Sequence, residues 1–242
     1  MCARQKPVAG ERPMKETEAI LRWLEEHRDE RNIAGMARFG IRTEGAFGVP
    51  IPMLRAEAKA YRRRHDVAME LWDTGLHEAR IMAGIIAKPS LFRPEDMDAW
   101  CAAFDSWDVC DQCCNNLFRR VPWVYDKVLP YTADGREFVR RTGFVLMAVL
   151  AVHDREAPDE RFIGWLDIIE AHAADGRNFV RKAVNWALRQ TGKRNMTCNR
   201  AAVETARRLA ASDDTAARWV GRDALRELTS QRTLEFIAAH RK

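Results

Sequence analysis

Within Ser106-Trp-Asp-Val-Cys-Asp111, Trp107 and Asp111 stand four residues apart and would share one helix face, with Cys114 and Phe118 continuing the line. A carboxylate held beside an indole can oppose developing positive charge and orient a water molecule. Asp105 and Asp108 project onto other faces and read as cap or solvent residues. A plainer alternative makes Trp107 a core residue and pairs Asp111 with an arginine such as Arg141 or Arg80. A second constellation follows from Phe179 onward. There Lys182, Trp186, Arg189 and Lys193 recur along one flank, while Phe179, Val180, Ala183 and Ala187 form the core face. A basic stripe containing one Trp suits a nucleic-acid backbone. Its alternative is a solvated helix face with Trp186 in the core.

Other chemistries find no support. Cys110 and Cys113 form a C-x-x-C, but its middle lies inside an apparent helix, no second pair follows, and no histidine is near in sequence. Zinc and redox roles are therefore not expected, and neither a metal nor an organic cofactor is implied. The six histidines are scattered, and no nucleophile elbow, P-loop or dinucleotide fingerprint occurs.

The elements that would carry these residues are helices. From Lys15 onward apolar residues recur at helical spacing, beginning with Ile20, Leu21 and Leu24, and no segment reads as a strand. Gly45 to Pro52 is the clearest loop and precedes a predicted helix over Met53 to Arg64. The most informative feature is an internal repeat: Asp134-Gly-Arg-Glu-Phe-Val-Arg-Arg141 returns 41 residues later as Asp175-Gly-Arg-Asn-Phe-Val-Arg-Lys182. A fainter copy follows at Trp219-Val-Gly-Arg222. In each, a turn or cap signal opens an amphipathic helix, and the offset lies within the roughly 40 to 47 residue period of HEAT and armadillo helix pairs. The expected fold is all-α, with HEAT-like helix pairs stacked into a curved α-solenoid. Arg141 takes the place of Lys182 in the earlier copy, so adjacent helices are expected to present cations side by side on a basic concave wall.

The 242 residues, 47% hydrophobic and 31% charged, suit an ordinary globular chain. A formal charge of +5 favours an acidic partner only mildly. Met1 to Met14 reads as a loose leader without the apolar run of a signal peptide, and residues 15–242 as a single domain. No stretch approaches a membrane span, so the default reading is a cytoplasmic monomer with reduced thiols.

Taken together these segments resemble the DNA alkylation repair glycosylases of the AlkD type, which are built of HEAT-like repeats. The resemblance runs from about Gly40 to about Leu228 and is carried by SWDVCD at 106–111, FVRRTGFVL at 138–146 and FVRKAVNWALRQTGK at 179–193, with GVPIPMLRAEAK at 48–59 in support. It implies active-site roles for Trp107, Asp111, Arg141 and Trp186, and backbone contacts from Arg189 and Lys193, whose stripe Lys182 shares. It also implies excision of cationic alkylated purines, 3-methyladenine and 7-methylguanine, from double-stranded DNA, with the lesion left exposed in the duplex and no deep base pocket. The Cys-rich continuation Cys110-Asp-Gln-Cys-Cys-Asn-Asn departs from that pattern and marks a subgroup. Two rival readings share the scaffold: a non-catalytic binder of damaged or branched DNA, and a HEAT-type protein-interaction scaffold.

Overall fold

A computed structural model describes residues 11–239, and these fall into two compact units divided between Pro122 and Trp123. No strand occurs among the described residues. The predicted leader lies outside them up to residue 10, whereas Glu11–Met14 already belong to the first helix.

The first unit runs α1 (Glu11–Glu26), α2 (Glu30–Ala37), α3 (Ile51–Glu57), α4 (His65–Asp73), α5 (His77–Ile86), α6 (Pro94–Ala102) and α7 (Trp107–Asn116), with short 3₁₀ turns after α3, α5 and α7. Its core is aromatic. Trp72 of α4 stacks face to face on Trp100 of α6 with centroids 3.9 Å apart, and Phe92, Phe104 and Phe118 pack around them. Such rings bury large areas and add specific ring–ring contacts to the transfer free energy. The helix predicted over Met53 to Arg64 begins two residues earlier and stops at Glu57. Pro50 and Pro52 explain the start, because proline lacks the N–H that the first turn leaves unpaired anyway.

The second unit runs α8 (Val124–Ala133), α9 (Glu137–His153), α10 (Asp159–Gly164), α11 (Leu166–Ala171), α12 (Asn178–Lys193), α13 (Met196–Ala210), α14 (Thr215–Leu228) and α15 (Gln231–Ala239). Consecutive helices joined by short turns pack on each other, α8 on α9 and α13 on α14, while α12 packs on α9, α13 and α14. From Arg141 to Ala151 every residue of α9 is buried, so this helix is the interior element of the unit. Close approach needs small residues. A Cβ on Gly143 would stand 2.6 Å from the Thr132 amide nitrogen of α8, and Gly221 faces the backbone of α13 just as tightly.

The repeated Asp-Gly-Arg is a built corner. Oδ1 of Asp134 accepts from the Arg136 amide at 2.8 Å while its carboxylate is forked by the Arg136 guanidinium. Asp175 and Arg177 reproduce each of these bonds. The two corners also lock together: Arg140 donates to Asp175 at 3.0 Å and Arg177 to the Gly135 carbonyl at 2.8 Å. The fork of Arg136 holds the Asp134 carboxyl down at about 2, and that of Arg177 holds Asp175 well below the usual carboxylate range. The third copy departs from the rule. Trp219 is the fifth residue of α14, not its opening, and Asp214 supplies the cap by accepting from the Ala217 amide at 2.8 Å.

Candidate nucleic-acid interface

In the first unit the site is built on the opening turn of α7. Ser106 is the N-cap residue, and Trp107 and Asp111 lie one turn apart, each half-buried. The indole is oriented by a hydrogen bond from Nε1 to the Phe39 carbonyl at 3.0 Å, on the turn that ends α2. The neighbouring carboxylates are engaged elsewhere. Asp105 pairs with Arg42 at 3.0 Å and lies 3.7 Å from Arg80, whose guanidinium also covers the Trp72 ring. Arg55 reaches from α3 to Gln112 and Asn116, bracing the far end of α7.

Asp108 corrects its reading as a cap or solvent residue. It is half-buried, accepting from Ser106 Oγ at 2.6 Å and from the Val109 amide, and it meets His77 Nε2 at 2.9 Å. Projection at a fixed angle missed this because Asp108 sits in the first turn, where the neighbouring α5 begins. Burial works against charge on both partners, yet their mutual attraction outweighs it, raising His77 above and lowering Asp108 below its ordinary value. The signs set a window. The His77 contribution is complete below about 6.5 and fades as pH rises through its elevated folded value. The Asp108 contribution is complete above about 3.9 and fades as pH falls through its depressed one. The stability lost in Asp108→Asn should therefore be greatest between about pH 4 and 6.5 and shrink toward pH 9, as read from urea midpoints across that range.

A second element that sequence reasoning missed is Glu78, next to His77 on α5. Its carboxylate is buried and accepts from the amides of Phe47, Gly48 and Val49 at 2.8, 2.6 and 3.3 Å. It thus organises the Gly45–Pro50 loop. Gly48 has φ 74°, and an added side chain would collide with the Asp29 carbonyl. Nothing in the local sequence marks Glu78, since its partners lie about 30 residues earlier.

In the second unit the predicted basic stripe of α12 divides by position. Lys182 is exposed and Trp186 half-buried. Turning the Gln190 amide oxygen toward the indole lets it accept from Trp186 Nε1 at 2.9 Å and from Lys193 Nζ at 3.2 Å. Arg189 and Lys193, expected to contact DNA, both pair with Glu227 of α14, Lys193 at 2.6 Å. Burial disfavours the Glu227 carboxylate, but the two cations outweigh it and hold its pKa below the usual range. Their charge is thus largely answered inside the chain.

Arg141 also departs from expectation. It is 5% exposed, and its Nη1 donates 2.6 Å to the Phe179 carbonyl, tying α9 to the first turn of α12. Cations at 141 and 182 therefore do not stand side by side on a surface: Arg141 turns inward and Lys182 outward, because α9 is enclosed by its neighbours and α12 is not. Phe179, expected in the core, is half-buried and stacks on Phe138, its counterpart one repeat earlier. Val180, Ala183 and Ala187 are buried as expected.

A family model described as DNA alkylation repair enzyme matches residues 20–228. The chain belongs to the DNA alkylation repair enzyme family. No curated protein matches it. Among solved structures, it is similar to a protein described as one of a new family related to the HEAT-like repeat DNA glycosylases with affinity for branched DNA structures. The TM-score is 0.74 at 20% identity, over 88% of this chain and 95% of that one. The HEAT-like repeat fold read from the internal repeat is therefore the fold of this DNA alkylation repair family member.

For such a protein the absences are also of interest. Among the described residues no group of three His, Cys, Asp or Glu is placed to hold a metal ion, and no helix is long and apolar enough to cross a membrane. The five described cysteines are all buried thiols.

Proposed function

We propose that this chain is a DNA glycosylase that hydrolyses the N-glycosidic bond of cationic alkylated purines such as 3-methyladenine and 7-methylguanine in duplex DNA. The observation that carries this reading is the pairing of a half-buried Asp111 with a hydrogen-bond-oriented Trp107 on the opening of α7, in a member of the DNA alkylation repair family. Alkylation at N3 or N7 makes the base a good leaving group. As the C1′–N bond breaks, its electron pair passes to the base, which departs neutral, and the sugar becomes oxocarbenium-like. Asp111 opposes that charge and takes a proton from the water whose oxygen bonds to C1′. The π face of Trp107 favours the cationic sugar, by about 0.5 to 2 kcal/mol. Arg141 acts as a positioning residue for α12, and Lys182 serves as the outward phosphate contact.

The test is release of free base from duplex DNA treated with a methylating agent, with untreated duplex as control. Release confined to the treated duplex supports the reading, whereas binding of DNA without release sinks it. The second reading is then favoured, a non-catalytic binder of branched DNA. It is supported by the affinity for branched DNA of the protein whose fold this chain shares.

Because Glu227 answers Arg189 and Lys193, the DNA contact is expected to be held back by that carboxylate. Glu227→Gln should tighten duplex binding at low salt and steepen the slope of log K against log salt by about one to two, whereas Lys182→Ala should flatten it by about one. Fluorescence anisotropy over a salt series reads both, and an unchanged slope in Glu227→Gln would show that the two cations do not reach phosphate.

A further inference from the structure

We propose that the outward face of α14 is a second nucleic-acid contact, in which Trp219 stacks on an unpaired base and the arginines around it hold the neighbouring phosphates. The inference rests on the DNA-binding reading above but on none of its candidate catalytic residues. Trp219 is 40% exposed, an unusual position for the largest apolar side chain. The Arg181 guanidinium of α12 lies 5.0 Å from the centre of its ring. Thr215, Arg218, Trp219, Arg222, Asp223 and Arg226 line a shallow cavity of about 280 Å³. Their spacing is that of one continuous helix face.

Charge decides what that face accepts. The four arginines confront one carboxylate, Asp223, which is already shared between Arg226 and Arg189. Arg218 is braced by the carbonyls of Ser212 and Asp213 at 2.8 and 3.1 Å, so its side chain is held in place. Along α14, Arg218, Arg222 and Arg226 recur every ~6 Å and so present a line of cations to a nucleic-acid backbone. An aromatic ring beside guanidinium groups is the platform on which single-stranded nucleic acids stack, whatever the base, because every base offers a π face. A duplex with its bases paired offers the arginines phosphates but, apart from its terminal pairs, offers Trp219 nothing to stack on.

The experiment compares the full-length wild type, Trp219→Ala and Trp219→Phe on a blunt duplex and on the same duplex carrying a single-stranded thymidine tail. Wild type should prefer the tailed duplex. Trp219→Ala should lose about 5- to 100-fold on the tailed form with little change on the blunt one, and Trp219→Phe should retain most of the preference. Equal binding of both forms by wild type, or a loss in Trp219→Ala that falls equally on both, overturns the inference while leaving the DNA-binding reading intact. Failure of wild type to bind either duplex overturns both.

Discussion

Asp111→Asn should lower base release from methylated duplex by about 10²- to 10³-fold, the usual consequence of deleting one group that opposes transition-state charge. Asparagine keeps the shape of the side chain and its place one turn from Trp107, but it carries no charge and cannot accept the proton from water. DNA affinity should be unchanged or slightly improved, because a carboxylate near phosphates is repulsive in the bound state. Single-turnover release and equilibrium binding on the same substrate separate the two effects. Equal losses in both would mean that Asp111 holds α7 together and does not act on the sugar.

Glu78→Ala should destabilise the first unit by about 3 kcal/mol or more. Each buried donor left without an acceptor costs about 1 to 3 kcal/mol, and this one carboxylate serves the amides of Phe47, Gly48 and Val49. At about 2 to 4 °C per kcal/mol for a chain of this size, the fall in Tm should reach about 6 °C or more. Calorimetry should show it concentrated in one transition if the two units unfold separately. A change below about 1 kcal/mol would mean that the Gly45–Pro50 loop finds other partners, and its organisation would then need another explanation.

What the sequence made legible was whatever repeats or is local. The recurrence of Asp-Gly-Arg located the starts of α9 and α12, because the corner is made by residues two apart, Asp134 with Arg136 and Asp175 with Arg177. The shared face of Trp107 and Asp111 was legible because helical spacing is fixed. Contacts made across the fold were not legible. Glu227 lies 34 and 38 residues from the cations it pairs with, and only the packing of α14 on α12 brings it there. Asp108 reads as a cap or solvent residue because a projection knows its own helix and not α5, which supplies His77. Arg141 seemed equivalent to Lys182 because the repeat equates their positions, but α9 is interior and α12 is not. Sequence periodicity reports which residues share a face, whereas the neighbours of that face are set by tertiary packing.

The buried cysteines carry a consequence for the chemical survival of the protein. Cys110, Cys113, Cys114 and Cys198 are each fully buried, and burial pushes the thiols of Cys113 and Cys114 well up and that of Cys198 to about 12. Since the thiolate is the species that attacks electrophiles, the sulfurs of Cys113, Cys114 and Cys198 are held in their inert form, and burial puts all four out of reach. Proteins that deal with alkylation damage work where methylating agents are present, and exposed thiols there would be consumed along with the bases. Folding these sulfurs away keeps them from reacting with such agents.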